Sequence, residues 1–227
     1  MKKILITCLA FLMSTSVAFA WERSGGISIS LMGVDTNVTD DIDNNGGTPD
    51  TTKSITNDIG VPSVFLEATN ESGKASLTVG VDLIPMAAEL DSRSTTQSHL
   101  GSKTTNSGAA TTGTNKGTVE ISKHMTFYIQ PGVRVNDDTT VFVTAGYVTS
   151  DVETEVQSVS STNKTVDDTL DGTKVGFGVK RNTDYGFMKL EYSETDYDPI
   201  SVVTGNNTKV TGDIDTNSIT ISFGRSF

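Results

Sequence analysis

Hydrophobic side chains in this chain recur at every second residue, in eight separate stretches. The cleanest runs from Ala75 to Leu83, where Ala75, Leu77, Val79, Val81 and Leu83 alternate with Ser76, Thr78, Gly80 and Asp82. Period-2 alternation places the two sets on opposite faces of a β-strand. Companion stretches carry Ile27, Ile29 and Leu31; Val64, Leu66 and Ala68; Met125, Phe127, Ile129 and Val133; and Val141, Val143, Ala145 and Tyr147. Three more carry Val175, Phe177 and Val179; Met188, Leu190 and Tyr192; and Ile219, Ile221 and Phe223. Each has the length and one-sided apolarity of a strand that crosses a bilayer with one face in lipid, about 9–11 residues.

The connections alternate in length. Short turns are expected near 70–73, 136–138 and 182–184, and long polar loops at about 36–58, 86–118, 151–171 and 197–216, with parts of 151–171 able to extend strands above the membrane. Short turns on one side and long loops on the other describe an all-β, closed, antiparallel up-and-down transmembrane β-barrel. Eight strands are expected, with ten as the alternative. Both termini would lie in the periplasm and the long loops outside the cell. Pro131 cannot donate to a ladder, so a bulge is expected there, next to Gly132.

The first twenty residues stand apart. Lys2 and Lys3 precede an apolar run from Ile4 to Met13, and Ala18 and Ala20 supply the small residues of a signal-peptidase site. Residues 1–20 therefore read as a removed signal peptide, and residues 21–227 as one barrel domain. Cys8, the only cysteine, leaves with the signal, so the remainder has no thiol for a disulfide or a metal.

Charge narrows the function classes. The formal net charge of −11 becomes −13 once Lys2 and Lys3 are removed, which argues against a nucleic-acid partner. Asp41, Asp43 and Asn45 match the first half of a calcium loop, but Thr52 stands where the bidentate acid belongs. A solvated acidic loop is the simpler reading, and no cofactor is expected. His99 and His124 are the only histidines; His124 shares inward parity with Ser122 but has no orienting third group, so no catalysis is expected.

The last ten residues alternate to the end, with Ile219, Ile221, Phe223 and a terminal Phe227. This resembles the C-terminal signal of outer-membrane barrels; Arg225 departs from it, standing where an aromatic is common. The run Glu191 to Asp198, ending in Thr195-Asp196-Tyr197, is similar to the penultimate strand of opacity-type barrels. The chain thus resembles the small eight-stranded outer-membrane barrels of the opacity, OmpX and OmpW types and the transmembrane part of OmpA. That resemblance implies a monomer in outer-membrane lipid, delivered by periplasmic chaperones and recognised by the barrel assembly machinery through its final residues.

An eight-stranded barrel is about wide enough to be filled by side chains. Glu67, Asp82, Arg134, Lys174, Lys180, Lys189 and Glu191 have inward parity and are the expected interior charge network. A turn at Thr183-Asp184 would set Lys180 opposite Phe187 and leave Glu191 diagonal to Lys174. The expected role is structural or surface-interacting. The alternatives are a narrow channel for small, even hydrophobic, solutes and a soluble secreted β-sandwich that binds or adheres.

Overall fold

The computed structural model describes residues 21–41, 51–99, 111–157, 164–203 and 209–227. The signal segment with Ala18 and Ala20 lies outside them, as do Asp43 and Asn45 of the calcium-like loop. Among the described residues there is no helix. The strands are β1 (Glu22–Asp41), β2 (Thr51–Ser72), β3 (Ala75–Leu83), β4 (Ala88–His99), β5 (Thr111–Arg134), β6 (Thr139–Gln157), β7 (Lys164–Thr183), β8 (Gly186–Tyr197), β9 (Ile200–Val203) and β10 (Lys209–Ser226). Eight of them close a ring in the order β1-β2-β3-β5-β6-β7-β8-β10, with β10 pairing back onto β1. The closure runs to the end of the chain, where the Phe227 amide donates to the Arg23 carbonyl at 2.9 Å. A closed ring satisfies its backbone internally and has no edge to protect, which is what lipid demands.

Alternation decides the faces as expected. Ile27, Leu31, Ile129, Val143, Phe177 and Ile219 stand half or more exposed on the outside, in a continuous apolar belt. Serines, threonines, Phe65, Tyr128, Phe142 and Phe187 turn inward and are buried. Inward glycines face these large side chains: a Cβ on Gly80 would lie 2.4 Å from the Tyr128 ring, and one on Gly224 the same distance from Phe187. Small opposite large is how the narrow lumen fills with little void.

Most of the ring strands are far longer than a bilayer needs. At 20 residues, β1 extends about 65 Å, or about 50 Å of height at the usual barrel tilt, against an apolar band of about 25 Å. Above the belt the pattern inverts. On β1 the outward row Ile27, Ile29, Leu31 gives way to Gly33 and Asp35, while Met32 and Val34 turn inward. On β6 Tyr147 ends the outward apolar row and Val148 and Val152 are buried; on β10 Ile214 is buried between exposed Asp213 and Asp215.

In this upper half the ring opens into two sheets. Ladders join β4-β5-β6-β7 and β9-β10-β1-β2, and no ladder joins β2 to β4 or β7 to β9 among the described residues. Prolines mark the breaks, with Pro85 between β3 and β4 and Pro199 between β8 and β9. The two sheets meet across an apolar core of Val34 and Ile214 against Val148, Val152 and Leu170, with Tyr197 beneath.

Four expectations are corrected. The stretches 36–58, 86–118, 151–171 and 197–216 are largely strand among the described residues, and in the last two the buried apolar residues Val152, Leu170 and Ile214 stand in the phase opposite to the belt. Pro131 causes no register shift: the ladder to β6 lacks pairs at Gln130 and Pro131 and resumes in the same register at Gly132. The bulge lies instead between Ser122 and Met125, with Lys123 at φ 52°. It flips the phase of β5, so Ile121 pairs with inward Val152 and Ser122 with outward Asp151, away from the inward face of His124. Finally, the β7–β8 turn centres on Asp184-Tyr185, so Lys180 faces Lys189 and Phe187 faces Asn182. Gly186 is required in that turn, since a Cβ there would meet the Gly224 carbonyl at 2.2 Å.

Candidate functional site

The barrel interior at belt height holds a balanced set of charges. Glu67 on β2 is the hub, its side chain fully buried. It receives Lys189 Nζ at 2.6 Å, the Tyr128 hydroxyl at 3.0 Å and the Ser24 hydroxyl at 3.3 Å, and Lys180 Nζ stands 3.7 Å away. The two ammoniums also face aromatic rings, Lys180 over Phe187 at 4.0 Å and Lys189 over Phe65 at 4.6 Å. Carboxylate, hydroxyls and π-faces together replace the water these charges would otherwise need.

A second carboxylate stands beside the first. Glu191 on β8 accepts from Gln130 Nε2 at 2.9 Å and from the Thr144 hydroxyl at 3.1 Å. Its other oxygen lies 2.9 Å from Lys174 Nζ, an ion pair without hydrogen-bond geometry. Lys174 is four residues up β7 from the position facing Glu191, and Gly176 and Gly178 clear the wall between them. Glu191 and Lys174, diagonal neighbours in the expected register, thus form an ion pair although that register does not occur. Asp82 is held by the Ser63 hydroxyl at 2.9 Å.

Six of the seven interior charges expected from the sequence come together. Arg134 does not: it sits at the turn end of β5 and pairs with Glu71, both a third or more exposed. Missed were Tyr128, Gln130 and Thr144, which tie Glu67 to β5 and Glu191 to β5 and β6. The signal for Tyr128 was Gly80 directly opposite it on β3, which lets the ring cross to β2.

Packing leaves little room. The described residues enclose lumen cavities of about 20, 30 and 40 Å3, each space for one or two waters. The uppermost lies under the apolar core, beside His124 and Tyr197. His124 Nε2 and the Tyr197 hydroxyl are 3.0 Å apart, and His124 Nδ1 is buried without a partner. Burial pushes the Tyr197 phenol up to about 12. No carboxylate is bonded to His124 among the described residues.

Outside, above the belt, the surface is acidic. Asp35, Asp215 and Asp196 stand in register across β1, β10 and β8, with Asp213 two residues along. Like charges facing across a ladder destabilise it. Although Asp215 is exposed, slight loss of hydration, then the carboxylates of Asp196, Asp213 and Asp35, hold its carboxyl above the ordinary value. Among the described residues no group of acids and histidines has the arrangement of a metal site. Of the C-terminal residues, Ile219, Ile221, Phe223 and Phe227 all face outward and are exposed.

No protein-family model matches this chain, and no curated protein sequence does. Solved structures do. The outer membrane protease OmpT from Escherichia coli superposes with a TM-score of 0.51 at 11% identity, over 94% of this chain and 99% of that one. The attachment invasion locus protein Ail of Yersinia pestis matches at 12% identity and a TM-score of 0.41, over 89% and 99%. Neisserial surface protein A matches at 10% and 0.33, over 88% and 97%. The fold is that of the outer-membrane β-barrels. At such identities the likeness speaks to the fold alone.

Proposed function

We propose that this chain is a non-enzymatic outer-membrane protein whose barrel anchors an acidic, two-sheet head that meets partners outside the cell, with both termini in the periplasm. The observation that carries this reading is the double filling of the interior. A neutralised charge network occupies the belt, and an apolar core occupies the half above it. A lumen filled in two ways is a poor conduit, because a solute would have to displace both buried ion pairs and a dry core. What is left for function is the outer surface of the head, where the strands run well past the lipid. His124 supports the non-enzymatic reading, since its ring is turned into the closed interior against a tyrosine.

Two measurements test the proposal. Asn57→Cys, in the head, is expected to react with a membrane-impermeant maleimide on intact cells, and Asp184→Cys, in a short turn, only after permeabilisation; the reverse pattern overturns the orientation. The purified protein in planar bilayers is expected to show no steady ohmic conductance. A stable conductance would instead make it a channel.

A further inference from the structure

One feature of the lipid-facing wall is not explained by barrel architecture. Next to the final strand the belt has a groove of about 820 Å3, lined on the outside by Gly25, Val64, Leu66, Leu83, Arg225 and Phe227. Its floor is backbone, because β1 places a glycine where the neighbouring strands place Leu66 and Arg225. Its banks are Leu66 and Phe227, which would lie 2.9 and 3.7 Å from a Cβ on Gly25. From β10 to β3 the groove crosses four strands, about 14 Å. At its rim end stands Arg225, exposed, with no hydrogen-bond or ion-pair partner among the described residues. This is the residue that departs from the aromatic common at its place in the C-terminal pattern.

We propose that this groove is a binding site for one glycerophospholipid, its acyl chain along the Gly25 floor and its phosphate on the Arg225 guanidinium. The occupant is fixed by position and chemistry. A groove opening from an apolar belt faces hydrocarbon, and a guanidinium at the belt's edge meets the level of lipid phosphates. Arginine offers a planar donor fork that matches a phosphate, and the pairing is stronger at a partly desolvated rim. Gly25 and Arg225 are matched in register, so the cleared floor and the headgroup ligand are set by one pair of facing residues. On the orientation proposed above, the lipid belongs to the inner leaflet.

Native mass spectrometry of the detergent-solubilised protein, titrated with phosphatidylglycerol, tests the site without depending on that orientation. The protein is expected to retain one lipid preferentially. Arg225→Ser is expected to weaken that first binding step about tenfold, and Arg225→Lys less, because charge is kept and the fork is lost. Arg225 is exposed and unpartnered, so these variants keep the fold. Gly25→Leu, checked for folding by heat-modifiable mobility, is expected to abolish the preferential step by filling the floor. Inorganic phosphate at equal concentration is expected not to compete. Equal lipid retention by Arg225→Ser and the unsubstituted protein would overturn the proposal. So would full competition by inorganic phosphate, which would mean an anion site without the groove, or a dimer in place of the lipid adduct.

Discussion

Glu67 concentrates the interior's electrostatics on a single carboxylate. Two ammoniums, a phenol and a serine hydroxyl converge on it, and its side chain has no contact with solvent. Removing it leaves Lys189, only 6% exposed at its side chain, buried without a counter-ion. Glu67→Ala is therefore expected to cost about 3–5 kcal/mol, the penalty for breaking a buried pair from one side. Lys180→Met should cost clearly less, because its ammonium is 3.7 Å from the carboxylate, against 2.6 Å for Lys189. Denaturant titration in detergent or lipid measures both; equal losses would mean that Glu67 is not the hub. Parity alone identified Glu67 and its lysines as inward. It could not identify Tyr128 or Gln130 as their partners, because contacts across a lumen depend on shear and on which facing residues are glycine, not on spacing along one strand.

At the scale of the strand, several long elements carry two opposite messages. In β1, β6 and β10 the apolar side chains face out below a certain level and in above it, and the switch marks where lipid ends. The lower halves were legible because their apolar residues are large and their alternation is strict. The upper halves read as loops because their apolar residues are sparse and phase-inverted, set among threonines and acids. In β5 no inversion exists in the sequence at all; the bulge at Lys123 performs it. The β7–β8 register was missed for a similar reason, since the turn is selected by the crowding of Gly186 against β10, a neighbour distant in sequence.

The acidic row across β1, β10 and β8 belongs to this upper surface and has a pH signature. The carboxyl of Asp215 is raised above 3.8 in the fold, by slight loss of hydration first and then by Asp196, Asp213 and Asp35. Its ionised form is thus disfavoured by folding, which lowers stability at neutral pH. That loss is recovered as the pH falls through the raised value. Asp215→Asn is expected to stabilise the protein at pH 7 and to reduce the gain seen on acidification. Added salt should shrink the difference, because the row is exposed and screened. Denaturation midpoints followed from neutral pH downward check this; an unchanged pH dependence in the variant would remove Asp215 from the account.

As a whole the molecule is built in two tiers that share strands but not a core. The lower tier is a closed barrel held by ladders on all sides and by the Glu67 and Glu191 clusters. The upper tier is two sheets with no ladder between β2 and β4 or between β7 and β9 among the described residues, and it is held together by apolar contact. A tier with free edges and one small core should open at lower free energy than a closed ring whose every strand is paired. Leu170 tests this, being 1% exposed at the centre of the upper core, with its carbonyl accepting from the Ser150 hydroxyl. Leu170→Ala is expected to cost about 2–5 kcal/mol through lost burial and the cavity left behind. The loss should fall on the upper tier. Amide exchange in residues 32–39, 148–153 and 213–217 is expected to accelerate by orders of magnitude. Amides of the belt, such as those of Leu77, Ile129 and Leu190, should keep their protection, and heat-modifiable mobility should persist. Glu67→Ala is expected to do the converse, lowering protection of the belt and of the head that depends on it. If Leu170→Ala instead loosened belt and head together, the two tiers would be a single cooperative unit, and the anchor-and-head division would lose its physical basis.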